Sequence, residues 1–125
     1  MNKILLGLLL GTVLGAIDGL SAWFTPEVRV EMATIIIGST FKGLVAGILI
    51  GLFARKVKSV PAGVLFGLAI GALLALAIAV MPDPITHKHY YPQIILPGSI
   101  VGLIVGYATQ RYGAPSAAPA TTPTR

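Results

Sequence analysis

The feature that most constrains this chain is a set of four apolar runs, residues 4–24, 32–54, 60–81 and 93–112. At 1.5 Å rise per residue, each is long enough to cross the hydrocarbon core of a bilayer as a helix. Inside lipid a segment must satisfy its own backbone N–H and C=O groups, so each run is predicted to be helical. Prolines mark the ends: Pro26 and Pro82 follow the first and third runs, Pro61 falls in the first turn of the third, and Pro92 precedes the fourth. The first run begins like a secretory signal, with Met-Asn-Lys ahead of apolar residues. It continues to Phe24, however, and Leu20-Ser21-Ala22 puts a large residue where cleavage needs a small one. A retained helix is expected. The predicted fold is all-α, a polytopic membrane protein with four transmembrane helices in residues 1–112. A disordered Pro/Ala/Thr-rich cytoplasmic tail is expected over 113–125.

Composition supports the same reading. Hydrophobic residues are 55% of the chain and charged residues 10%, against about 25% charged in soluble domains. A 125-residue soluble domain leaves too much surface exposed to hide that much apolar area. A soluble enzyme or a nucleic-acid reader is therefore excluded, and the bilayer is the expected partner. The net charge of +5 is not gathered into a patch; its basic residues sit at the ends of the runs. Lys3, Arg55, Lys56, Lys58, Arg111 and Arg125 fall on one side, and only Arg29 and Lys88 on the other. The excess predicts cytoplasmic N- and C-termini in the cell (inner) membrane, with residues 25–31 and 82–92 outside. Cysteine is absent, which removes disulfides, thiolate metal sites and a cysteine nucleophile.

Glycine recurs every fourth residue in all four runs: Gly7, Gly11 and Gly15; Gly43, Gly47 and Gly51; Gly63, Gly67 and Gly71; Gly98, Gly102 and Gly106. Four residues advance a helix by only about 40° past a full turn, so each series makes one shallow groove. Between lipid-embedded helices, close backbone approach through such grooves drives packing. The series also superimpose. A shift of 56 carries Gly7, Gly11 and Gly15 onto Gly63, Gly67 and Gly71, and Pro26 onto Pro82. A shift of 55 carries Gly43, Gly47 and Gly51 onto Gly98, Gly102 and Gly106. The reading is two tandemly repeated glycine-zipper hairpins in one orientation. So narrow a bundle is expected to leave little room for a solute path within one chain.

Two ionisable residues, Asp18 and Lys42, lie inside the predicted spans. A charge at the bilayer centre costs roughly 2.5–3.5 kcal/mol or more, so each is a candidate site that needs a partner. Asp18 is seven residues after Gly11 and so lies within about 20° of the glycine face. Lys42 lies off that face, and its long stem can offset the angle. Side chains lean toward their helix N-terminus, which brings the two to a similar depth. The expectation is an ion pair across the first hairpin, serving either as a proton or cation site or as a structural pair that fixes register.

Pro97 and Gly98 are hinge candidates, since Pro97 leaves the Gln93 carbonyl without its intrahelical donor. His87 and His89 are weak metal-ligand candidates, with Asp83 as a third group. An interfacial turn anchored by Tyr90 and Tyr91 is the competing reading. No cofactor is implied, and no Ser-His-Asp grouping, phosphate loop or paired carboxylate points to an enzyme. The sequence suggests an oligomeric small channel or transporter for protons, cations or small solutes. The alternative is a non-transporting accessory or scaffold subunit whose zippers bind other membrane subunits.

Overall fold

The computed structural model describes residues 2–84 and 86–113. It is all-helical, and its four helices are long and apolar enough to cross a membrane. They are α1 (Lys3–Leu20), α2 (Met32–Lys56), α3 (Val60–Ala79) and α4 (Tyr91–Tyr112). The expected tail lies outside the described residues from 114 onward.

Local chemistry sets the helix ends. The Asn2 side chain accepts from the Leu5 N–H at 2.7 Å and caps α1. Ser59 caps α3, with Pro61 in the first turn, where its missing N–H costs nothing. At the top of α1 the coil tightens into 3₁₀ turns, Ser21–Phe24 and Pro26–Glu31, before α2 begins. The first run is thus α-helical only to Leu20, and its last turn is spent on the connection. At the other end the α2 carbonyls take side-chain donors: Lys3 Nζ bonds the Ala54 oxygen at 2.9 Å, and Gln110 Nε2 bonds that of Val57 at 2.6 Å. We call this the lower end; the upper end carries residues 21–31 and 80–90.

The helices pair as α1 with α2 and α3 with α4, and the two hairpins meet through α1–α4, α2–α3 and α2–α4 contacts. Small residues are inside and large ones outside. Gly7, Gly11, Gly15 and Gly19 are buried on α1, while Leu5, Leu9, Val13 and Ile17 are exposed. α3 repeats the pattern, with Gly63, Gly67, Gly71, Ala75 and Ala79 buried and Leu65 and Leu73 exposed. A water-soluble fold has the opposite arrangement; a lipid-embedded one has no reason to hide leucine.

The glycines meet backbone across each hairpin. A Cβ added to Gly11 would strike the Gly43 carbonyl and lie 3.0 Å from the Gly47 Cα. One added to Gly67 would strike the Gly102 carbonyl and lie 3.0 Å from the Gly106 Cα. Here the structure departs from the superposition by 56 and 55, which would set Gly67 against Gly98 as Gly11 is set against Gly43. The second hairpin is offset by one helical turn. A repeat of four residues tolerates this, because a four-residue slip again sets glycine against glycine.

Larger side chains fill the lower half between the hairpins. Ile50 and Val105 are fully buried with Ala46, surrounded by Leu10, Leu14, Phe66, Ile70, Leu74 and Val101. Phe53 stacks on Phe66 with ring centroids 4.1 Å apart. Among the described residues no comparable apolar cluster fills the upper half, where the site lies.

Candidate functional site

At the upper end the hairpins splay around a cleft of about 860 Å³, lined by α1, α2, α4, the end of α3 and both upper connections. One chain was expected to leave little room for a solute path; the cleft is room at the upper end, and the packed core lies below it.

The floor is the ion pair. Lys42 Nζ lies 3.0 Å from Asp18 Oδ2, and the side chains are only 12% and 7% exposed. Asp18 sits in the last turn of α1, on the face that Gly15 and Gly19 bury against α2. The Lys42 stem spans the angle that separates it from the glycine groove. Its ammonium also reaches the second hairpin: a Cβ added to Gly98 would lie 3.3 Å from Lys42 Nζ. Glycine after Pro97 therefore leaves space for a charge carried by the other hairpin. Pro97 itself lies within a continuous α4, so the expected kink does not break the helix.

Below the pair is a void of about 10 Å³, bordered by Gly15, Gly43, Gly71, Leu74, Gly98 and Val101. That is room for one water at most. The apolar core then closes the way. The cleft therefore lies above the ion pair, with the packed core below it.

Higher in the wall are two acids: Asp83, which the sequence offered only as a metal group beside His87 and His89, and Glu31, which it did not single out. Glu31, at the end of the 3₁₀ turn before α2, is 8% exposed, and its Oε2 has no hydrogen-bond partner among the described residues. Asp83, from the connection between α3 and α4, lies beside it. Both line the cleft. Ser39 Oγ, near the floor, is also buried without a partner. One sequence signal pointed here: three of the chain's four acids, Glu27, Glu31 and Asp83, belong to the upper end, and the fourth, Asp18, lies in the last turn of α1 below it.

The upper connections are tied outside the cleft by an ion pair of Lys88 with Glu27. That hydrogen-bonded carboxylate holds the Lys88 ammonium above the usual lysine range. Arg29 lies over the Trp23 ring at 4.5 Å, so its charge is also engaged outside. His89 contacts the Ala79 carbonyl through Nδ1 at 3.1 Å and stacks on Tyr91, while His87 takes a positive φ of 62°. Among the described residues no three His, Cys, Asp or Glu side chains come close enough to hold a metal ion. Asp83 Oδ1 instead accepts from the Thr86 N–H at 2.9 Å.

Comparison with known proteins adds no functional label. No family model matches the chain, and no curated protein or solved structure is significantly similar to it.

Proposed function

We propose that this is a small integral membrane transporter, in which the upper cleft admits a proton, cation or small solute and the Asp18–Lys42 pair gates its passage. The observation that carries this reading is the cleft floored by a buried ion pair. A cleft reaching into the span from one side, with a charged plug at its floor, is what a carrier needs in one of its two end states. In this reading Asp18 exchanges a proton or ion, and Lys42 competes for the same carboxylate. The host is the cell (inner) membrane, with both termini cytoplasmic and the cleft open to the outside. Its two glycine-lined hairpins descend from a tandem repeat.

The scaffold reading has less support. The twelve glycines proposed as docking grooves are buried within the chain, mostly against the backbone of their own hairpin partner. Self-association or attachment to other subunits would have to use the leucine-rich outer faces instead.

The test is the double substitution Asp18→Asn with Lys42→Met. Breaking a buried pair by a single substitution costs about 3–5 kcal/mol, whereas replacing both members with neutral residues is often tolerated. The double variant should therefore fold near the parent's stability, while proton- or cation-driven flux in liposomes is lost. Parent protein that shows no flux under any gradient, beside a stable double variant, would reduce the pair to a structural device.

A further inference from the structure

The floor pair accounts for neither Gly38 nor Glu31 in the cleft wall. Glycine inside a helix costs stability relative to alanine, and among the described residues nothing lies within 4 Å of a Cβ added to Gly38. Packing does not require it. On α2, Thr34, Ile37, Gly38 and Phe41 are exposed, and their spacing puts them on one face. On α4, Leu96, Ile100, Leu103 and Tyr107 do the same, with Leu96 63% exposed. In a membrane such faces turn to lipid. Thr34, Gly38 and Leu96 also line the cleft, so the cleft runs out between α2 and α4 to the bilayer.

The depth of this opening says what meets it. Gly38 lies six residues after Met32 and Leu96 five after Tyr91, where those helices start. At 1.5 Å per residue both are roughly 7–9 Å below the upper helix ends. That is hydrocarbon depth, beneath the aromatic residues Trp23, Tyr90 and Tyr91. Water standing in the opening would touch acyl chains, which the hydrophobic effect opposes. A solute that fills the cleft must therefore present hydrocarbon to this side.

The polar lining fits a head group above that hydrocarbon. Thr25, Glu31, Tyr90 and Gln93 gather at the upper end, while Ile35, Ile94 and Leu96 follow below, with Thr34 and Ser39 the polar exceptions. Glu31 Oε2 is buried without a hydrogen-bond partner among the described residues, in a residue 8% exposed. Folded proteins rarely leave such an atom unsatisfied. A hydroxyl can donate to a carboxylate or accept from a carboxylic acid, so it suits Glu31 in either protonation state. The cleft, at about 860 Å³, has room for a molecule of ordinary ligand size.

We infer that the cleft receives an amphiphile with a hydroxyl-bearing head from the leaflet at the upper end, through the gap between α2 and α4. Its hydroxyl meets Glu31, and its chain passes Gly38 and Leu96. This rests on reading the cleft as the solute site, and it names the solute's class and route.

The probe is a monoacylglycerol with a diazirine at mid-chain, in phosphatidylcholine nanodiscs that hold the full chain. After illumination we expect adducts on Ile35 and Ile94 of the cleft as well as on the outward Leu65 and Leu73. Unlabelled monoolein should displace the cleft adducts alone. Methyl oleate, which lacks the hydroxyl, should need about tenfold more, and glycerol in the bath should displace nothing. Glu31→Leu should bring monoolein and methyl oleate to equal strength. Gly38→Phe should close the opening, so that the cleft adducts are lost and the outer ones stay. If it fails to fold by circular dichroism, Thr34→Phe gives the same measurement. Adducts confined to the outer faces, displaced by glycerol or unchanged in the folded Phe variant overturn the inference. So does a preference for monoolein that survives Glu31→Leu. Proton or alkali-cation flux without cleft adducts removes this site and leaves the transporter. Cleft adducts that meet every expectation, with no solute crossing the membrane, keep the site and remove the transporter.

Discussion

At the scale of single residues, the same side chain at two glycines of this protein should have opposite effects. Gly98 is packed: a Cβ there would lie 2.7 Å from the Ala75 Cβ and 3.3 Å from Lys42 Nζ. Gly98→Ala must push α4 away from α3 or displace the ammonium, at a cost of about 1–3 kcal/mol. Gly38 lies within α2 with nothing within 4 Å of an added Cβ. Gly38→Ala should stabilise by about 0.5–1 kcal/mol, because alanine loses less backbone freedom on entering a helix. Thermal unfolding of the two variants in one detergent measures both signs. Equal destabilisation would mean that the packing at Gly98 is looser than its distances indicate. Asp18 and Lys42 belong to this scale as well. The sequence placed both in the spans, and the angle from Gly11 set Asp18 on the packed face. Lys42 was harder to place, since only the length of its stem, seen in three dimensions, shows which atoms it reaches.

At the scale of elements, run length and proline position gave the number of helices and, except at the end of α1, their limits to within two residues. The differences are short and have local causes. α1 stops at Leu20 because the chain tightens toward Pro26, and α4 starts at Tyr91 because Pro92 fits a first helical turn. Pairing within each hairpin was legible from the glycine series. Register was not, since a pattern that repeats every four residues scores equally well after a four-residue slip. The cleft was also hidden. It depends on where bulky residues stop: Ile50, Phe66 and Val105 fill the lower half, and among the described residues nothing comparable stands between α2 and α4 above Lys42. Glu31 looked like a loop residue because its burial arises from the other hairpin's connection, which no periodicity within its own segment reports.

At the scale of the whole molecule, the lower end is basic and the upper end holds three of the four acids, which gives orientation a simple test. Cysteines introduced at Lys58 and at Thr86 should be labelled by an impermeant reagent from opposite faces of the membrane, the first from the cytoplasm. Labelling of both from one face would rule out a four-span topology. A last consequence comes from the glycine spacing within α1 and α2. Moved along each other by one turn, about 6 Å at 1.5 Å per residue, these helices again set glycine against glycine, like a rack with evenly spaced teeth. Smooth backbone surfaces resist such travel little; among the described residues the side-chain bonds that join α1 to α2 are the Asp18–Lys42 pair and the bond from Lys3 to the Ala54 carbonyl. The pair then acts as a pawl, and neutralising it should let the rack advance. Spin labels at the exposed positions Leu5 and Phe41 should report one distance in the parent and a second in Asp18→Asn with Lys42→Met. A single unchanged distance would show that the connecting turns alone hold the tooth in place.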